Sequence, residues 1–457
     1  MARNTTVQAD TAAPPVTEQL AAFVAEHPSL GWSEKVEHQA RRTFANWVGC
    51  AVGPAEHDAV RCALAAVQEL APAPQATLLG RRERVDLANA ALINGLSSHT
   101  FDFDDTHLKT IIHPAGPVAP AALALAEHLE RPGRELLDAL VIGIEVACRV
   151  GNAVYPDHYD RGWHITGSTG MLGSAAACAR LLRLDRQQTQ MALGIAASQP
   201  VGLREQFGTM TKPLHPGAAA RAGLMAALFA RHGFTASRRA LEAPRGLLQV
   251  FSDKTDWREI TEGLGETWEI ALNTYKPFAC GIVIHPSIDG CIQLREQVAA
   301  ADIERIVLRV HPLVLELTGK RTPQTGLEGK FSVYHSCAVG LLHGRAGEAE
   351  YADAVVRSPE VIALRDRIVA EADGTIDEAG CHITLTTRDG ASRTLRVEHA
   401  IGSLERPMSD EALTRKFVDQ AAPVLGTARA EAAAAAAFSI GGAADIRTLL
   451  EACVPQR

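Results

Sequence analysis

From about residue 17 to residue 265, apolar residues recur at every third and fourth position rather than every second, which is the spacing of amphipathic helices. Val36, Ala40, Phe44, Trp47 and Val48 make one such face, and Val60, Leu64 and Val67 make another. A third runs through Leu136, Leu140, Ile144 and Ala147 in a segment apolar almost throughout, which predicts a helix at the centre of a bundle. Residues 167 to 184 are rich in Gly, Ala and Ser, whose small side chains let helix backbones approach closely. Residues 219 to 233 repeat that manner and end on Gly233, a helix stop.

After about residue 270 the period changes. Ile303–Val310 reads as a strand. Residues 383–385, then Asp389 and Gly390, then residues 395–397 read as a β-hairpin with a primed turn. Beyond it, Ser409 can cap a helix carrying Leu413 and Phe417, and the alanine run 432–437 is a strong helix former. The chain therefore returns to helix at its end. No fixed-period self-similarity is present, which disfavours a repeat array.

A length of 457 residues is too great for one ordinary core at roughly 100–200 residues per domain, so two domains are expected. With 47% hydrophobic and 21% charged residues, the chain has ample area to bury and no mark of disorder. A net charge of −8 argues against a nucleic-acid binder, which shows a basic face. The N-terminal segment has no signal-peptide core, and no run of about eighteen apolar residues forms a membrane span; a soluble, cytoplasmic protein is expected. Nine scattered cysteines without a C-x-x-C pair read as buried reduced thiols. Cys280, close to Lys276, is the one thiol that a neighbouring cation would activate.

The densest polar cluster is DFDDTHLKTIIHPAG, holding Asp102, Asp104, Asp105, Thr106, His107 and His113. Three readings fit: an acid/base site in which a carboxylate orients an imidazole, an oxygen-rich Mg²⁺ site, or a solvated loop capping the next helix. Three more segments set cations or imidazoles beside glycine or proline: GWHITGSTG with His164, GTMTKPLHPG with Lys212 and His215 downstream of Arg204, and TYKPFACGIVIH with Lys276 and His285. Taken singly, each is more often a surface charge or a bonded core histidine. Together they imply an anionic substrate met by local positive potential. No P-loop, no strand-embedded G-x-G-x-x-G and no G-x-S-x-G elbow occurs, leaving nucleotides unsupported and a polycarboxylate favoured over phosphate.

The runs NGLSSHTFDFDDTH, HPAG, GWHITGSTGMLGSAAACARLL, GTMTKPLHPGAAARAG, YKPFACGIVIHPSID and GKFSVYHSCAVGLLHG resemble, in order, those of the MmgE/PrpD family, over about residues 40 to 420. The resemblance implies a mainly α fold: a large helical domain built from both chain ends (1–268 and 403–457) and a smaller α+β lid domain (269–402). It also implies a homodimer with the active site in the cleft, and chemistry without metal or organic cofactor. Family members dehydrate 2-methylcitrate, decarboxylate cis-aconitate or epimerise iminodisuccinate. Carried over by position, the decarboxylase-like site falls on Asp102, Thr106, His113, His164, Lys212 and Lys276, with one extra residue here between Thr106 and His113.

On this reading Lys212 and Lys276 stabilise enolate-like charge, His113 oriented by Asp102 carries the proton, and His164 is a second acid/base or a donor to a substrate carboxylate. Thr106, Arg204 and His215 bind the substrate, a small di- or tricarboxylic acid that loses a proton next to a carboxylate. Dehydration is the favoured outcome by resemblance, decarboxylation or epimerisation the alternatives. A carboxylate-binding protein without turnover is the non-enzymatic alternative, and a metal-dependent lyase is the third.

Overall fold

The computed structural model describes residues 13–28 and 32–456; most of the N-terminal segment read for a leader peptide falls outside them. The chain is mainly α-helical, with two two-stranded ribbons and one four-stranded sheet among the described residues. No helix among them is long and apolar enough to cross a membrane.

One hydrophobic core draws side chains from Val16 to Ile270 and again from Phe417 to Cys453. At its centre lies the helix Gly133–Val154, where every residue from Leu136 onward is buried, Asp138, Glu145 and Arg149 included. The anticipated faces of Glu34–Val52 and Asp58–Gln68 are buried too. Ser33, Asp86 and Ser409 each cap the helix that follows by accepting a backbone N–H, satisfying donors that the first turn leaves free. The small-residue helix Ile165–Leu181 crosses Gly133–Val154 so closely that a Cβ on Gly143 would lie 2.6 Å from the Gly173 carbonyl oxygen. A second such contact joins Leu87–Thr100 to Thr211–Arg231, where a Cβ on Gly217 would lie 2.2 Å from the Leu92 carbonyl oxygen.

Thr211–Arg231 begins eight residues before the helix anticipated at residue 219. Pro213 falls in its first turn, where a missing N–H costs nothing. Lys212 and His215 therefore project from a rigid helix rather than from a loop.

A second core runs from Phe278 to Leu385, with Cys50 and Phe103 reaching into it. Its sheet has the order Ile368–Ala372, Ile303–Val310, Cys381–Thr387, Ser392–Val397, the first pair parallel and the others antiparallel. The hairpin differs from the primed turn expected. Thr387 N–H bonds to Ala391 O across a three-residue loop, and Gly390 alone there has positive φ, +84°. A two-residue primed turn of type I′ needs positive φ at two positions, whereas a three-residue loop closes on one glycine.

The ribbon that matters for function is short: Asp105–His107 pairs antiparallel with Asn273–Tyr275. It sets the aspartate cluster beside the segment that carries Lys276. Three-residue strands have too little alternation to be read from sequence.

All nine cysteines are free; Cys62 is exposed and the rest are buried. Cys280 follows the buried-thiol reading rather than the alternative of activation by Lys276. Burial pushes it up to about 12, and the nearby Lys276 only partly offsets that.

Candidate active site

The helix Leu87–Thr100 stops at Thr100, and Asp102 turns the chain with φ +51°. That left-handed conformation is uncommon for any residue but glycine and is tolerated best by Asn and Asp. The turn aims the Asp102 carboxylate at two lysines. Its Oδ1 accepts from Lys212 Nζ at 2.9 Å and from Lys276 Nζ at 2.6 Å, while Oδ2, also buried, has no partner. Lys212 comes from the start of Thr211–Arg231 and Lys276 follows the strand Asn273–Tyr275. The three side chains are nearly withdrawn from solvent.

Burial works to raise the Asp102 carboxyl, but Lys212 and Lys276 overrule it and hold the group well below the usual carboxylate range. Burial also works against both ammonium groups. Lys212 ends lower than an ordinary lysine, with Asp102 only partly restoring it, whereas Asp102 and Asp104 together raise Lys276. Two ammonium groups thus share one carboxylate oxygen, with the Asp104 carboxylate acting on both from nearby.

The orientation of His113 expected from Asp102 belongs instead to the Asp105 backbone. His113 Nδ1 lies 2.7 Å from Asp105 O; a carbonyl only accepts, so Nδ1 carries the proton and Nε2 keeps its lone pair. Asp104 Oδ1 stands 3.6 Å from the same Nδ1, and Asp102 is already taken by the lysines. Burial pushes His113 down to about 3, Asp104 opposing and Lys276 adding to the effect, so its imidazole is neutral near pH 7. His164 sits at the cap position of Ile165–Leu181, its Nδ1 2.9 Å from His215 Nδ1. Burial, with His99 and His215 beside it, drives it well below the ordinary range.

Asp102, His113, His164, Lys212 and Lys276 line one narrow cavity, whose apolar wall includes Ile111, Tyr159, Phe207, Ile282, Leu317 and Phe331. Its volume is about 30 Å³, room for roughly two waters. Thr106 stands behind His113, its hydroxyl 3.3 Å from Nδ1, and His215 stands behind His164. Arg204 is turned elsewhere: its guanidinium covers the Tyr159 ring at 4.1 Å and bonds to Glu316 and to the Tyr159 carbonyl. His107 is held by Glu269 at 2.7 Å and Thr110 at 3.0 Å. A larger cavity of about 1040 Å³ lies among Arg81, Arg84 and Arg447, but these are already paired with Glu83, Glu127 and Asp445.

His99 is the residue that sequence reasoning missed. Buried inside the helix Leu87–Thr100, it gives Nδ1–H to Asp104 Oδ2 at 2.7 Å, while its Nε2 has no hydrogen-bond partner. Its ring lies 4.8 Å from that of His113 and 5.6 Å from that of His164. The signal was there as a histidine five residues before Asp104, but it lies inside the preceding helix, outside the aspartate-rich run. One ligand atom each from His99, His113 and His164 lie within 4.8 Å of one another, as do those of His99, Asp102 and Asp104, so two overlapping sets are able to take a metal ion. Lys212 and Lys276, however, place positive charge at the same cavity, and charge repulsion opposes a resident cation. Turnover is expected to survive exhaustive EDTA dialysis, with added Zn²⁺ inhibiting by occupying the histidines; activity lost to the chelator and restored by metal would reverse this reading.

Comparison with known proteins identifies the family. The family model for the MmgE/PrpD N-terminal domain matches residues 18–260 and that for the MmgE/PrpD C-terminal domain matches residues 278–439. The chain is 27% identical to a cis-aconitate decarboxylase of Aspergillus terreus over 89% of this chain and 88% of that protein. It is 30% identical to the cis-aconitate decarboxylase of Homo sapiens over 74% of this chain and 73% of that one. To the 2-methylcitrate dehydratase of Escherichia coli it is 24% identical over 74% of each. The chain belongs to the MmgE/PrpD family. It is an enzyme of the lyase class.

Proposed function

We propose that this protein is a cofactor-independent lyase of a small di- or tricarboxylic acid, working as a cytoplasmic homodimer, and that decarboxylation of a cis-aconitate-like acid is its reaction. The observation that carries the reading is the pair of buried ammonium groups on one Asp102 oxygen, lining the same cavity as the neutral imidazole of His113. Such preorganised charge stabilises an anion that develops during reaction. When a carbon–carboxylate bond breaks and CO₂ leaves, the electron pair left behind spreads onto a neighbouring carboxylate held by Lys212 and Lys276. A proton then closes the step at carbon. His113 supplies it after the substrate's own negative charge has raised its proton affinity.

The sequence by resemblance favours dehydration. Decarboxylation is placed first because the decarboxylase relatives align at higher identity over as much of the chain or more. Dehydration keeps one supporting observation, the lone pair on His113 Nε2, which suits removal of a proton next to a carboxylate before a β-hydroxyl leaves as water. The cavity is too small for a six-carbon acid as it stands, and we assign the residue 269–402 region the part of a lid that parts to admit substrate.

Incubation in D₂O with cis-aconitate and with 2-methylcitrate, followed by proton NMR and CO₂ release, tests this. Vinyl signals with CO₂ from cis-aconitate are expected. A new alkene from 2-methylcitrate without CO₂ would transfer the assignment to dehydration, exchange without a new product would indicate epimerisation, and no change in either acid would sink the substrate class.

A further inference from the structure

The peptide carbonyls of Phe101, Asp102 and Phe103 are consecutive, and each accepts from a different buried lysine. Lys330 Nζ reaches Phe101 O at 2.8 Å, Lys276 Nζ reaches Asp102 O at 3.2 Å, and Lys416 Nζ reaches Phe103 O at 2.6 Å. The three lysines come from separate parts of the chain: Lys330 follows the short helix Gly326–Gly329, Lys276 follows the strand Asn273–Tyr275, and Lys416 lies in the helix Asp410–Leu425. Lys330 also binds Ala279 O and Glu348. Lys416 is held by Asn46 Oδ1 at 2.7 Å and lies over the Phe103 ring, with no carboxylate in its hydrogen bonds.

Burying an ammonium group is costly, and apolar side chains fill a core at least as well. Lysines retained around one short segment therefore point to what that segment does. At its middle is Asp102, held at φ +51°, a conformation that persists only where the surroundings over-determine it. We propose that Lys330 and Lys416 are positioning residues: by gripping the carbonyls on either side of Asp102 they fix its turn, so that one carboxylate oxygen bridges Lys212 and Lys276. Neither touches the cavity; both act through Asp102. The inference rests on the role given to Asp102 above.

A double-mutant cycle tests it, with Lys416→Met and Lys330→Met made singly and each combined with Asp102→Asn, folding being checked by circular dichroism. Each single lysine variant is expected to lower kcat by about tenfold or more with KM changed less than about threefold. In the Asp102→Asn background the same change is expected to cost under about threefold, because residues acting as one unit are not additive. The alkaline limb of the kcat profile in the lysine variants should also move to lower pH, since a displaced carboxylate no longer favours the protonated lysines. Loss of packing alone would scale the profile without moving it. Lysine effects that multiply unchanged onto Asp102→Asn, or folded variants with wild-type kcat, would overturn the clamp and leave Asp102's role standing. Wild-type turnover in Asp102→Asn itself would overturn both. Should one lysine variant fail to fold, the other carries the cycle, and the limb shift serves if Asp102→Asn is too slow to measure.

Discussion

Alanine at Lys212 is expected to lower kcat by about a hundredfold to a thousandfold, the scale on which a single preorganised charge stabiliser acts. The side chain is buried, its ammonium shares the Asp102 carboxylate with Lys276, and it lines the cavity beside His113. Removing it takes away one of the two ammonium groups that line the cavity for a substrate carboxylate. His113→Ala is expected to fall in the same range or just below it, because a positioned acid or base contributes about a hundredfold to ten-thousandfold. Steady-state kinetics on folded variants decide the matter, and near-normal kcat in either would remove that residue from the mechanism.

A second large effect is expected in acid. Burial pushes His113, His158 and His285 down to about 3, and His215 and His335 down to about 4. In the unfolded chain each titrates near the ordinary histidine value of about 6.5. For each, the folded pKa lies below the unfolded one. Below about pH 6.5 the unfolded state therefore binds protons that the folded state refuses, and stability falls as pH falls. Four carboxyls run the other way: burial raises Asp105 and Glu145 to about 7 and raises Asp138 and Glu348 as well, so they destabilise as pH rises above the ordinary carboxylate range. With His57, His99 and His164 also held down by burial, eight histidines outnumber four carboxyls. The midpoint of urea unfolding is expected to decline from about pH 6.5 downward, with net proton uptake on unfolding at pH 5 measurable by calorimetry in buffers of different ionisation enthalpy. A midpoint flat between pH 7 and pH 5 would show that these histidines are not held neutral.

Much of this protein is legible along the chain. The helical core follows from local pattern: the apolar stripes of Glu34–Val52 and Gly133–Val154, the small residues of Ile165–Leu181 and the caps at Ser33 and Ser409 are all statements about neighbours in sequence. The strand Ile303–Val310 declares itself by alternation. The chemistry of the site is legible as an inventory, because the clustered cations and imidazoles of these segments together imply an anionic substrate.

Which groups face one another is another matter. Asp102 meets Lys212 from 110 residues away and Lys276 from 174 residues away, and no spacing rule links them. His113 takes its orientation from the Asp105 carbonyl rather than from Asp102, Arg204 turns to Glu316, and His99 emerges only when its helix is packed. Cys280 lies near Lys276 in sequence, yet burial outweighs that cation. The residue types and the helices that bear them are set by local preference and periodicity, which the sequence determines unaided. Partnership, tautomer and charge state depend on desolvation and on contacts between distant segments, and only the tertiary structure decides those.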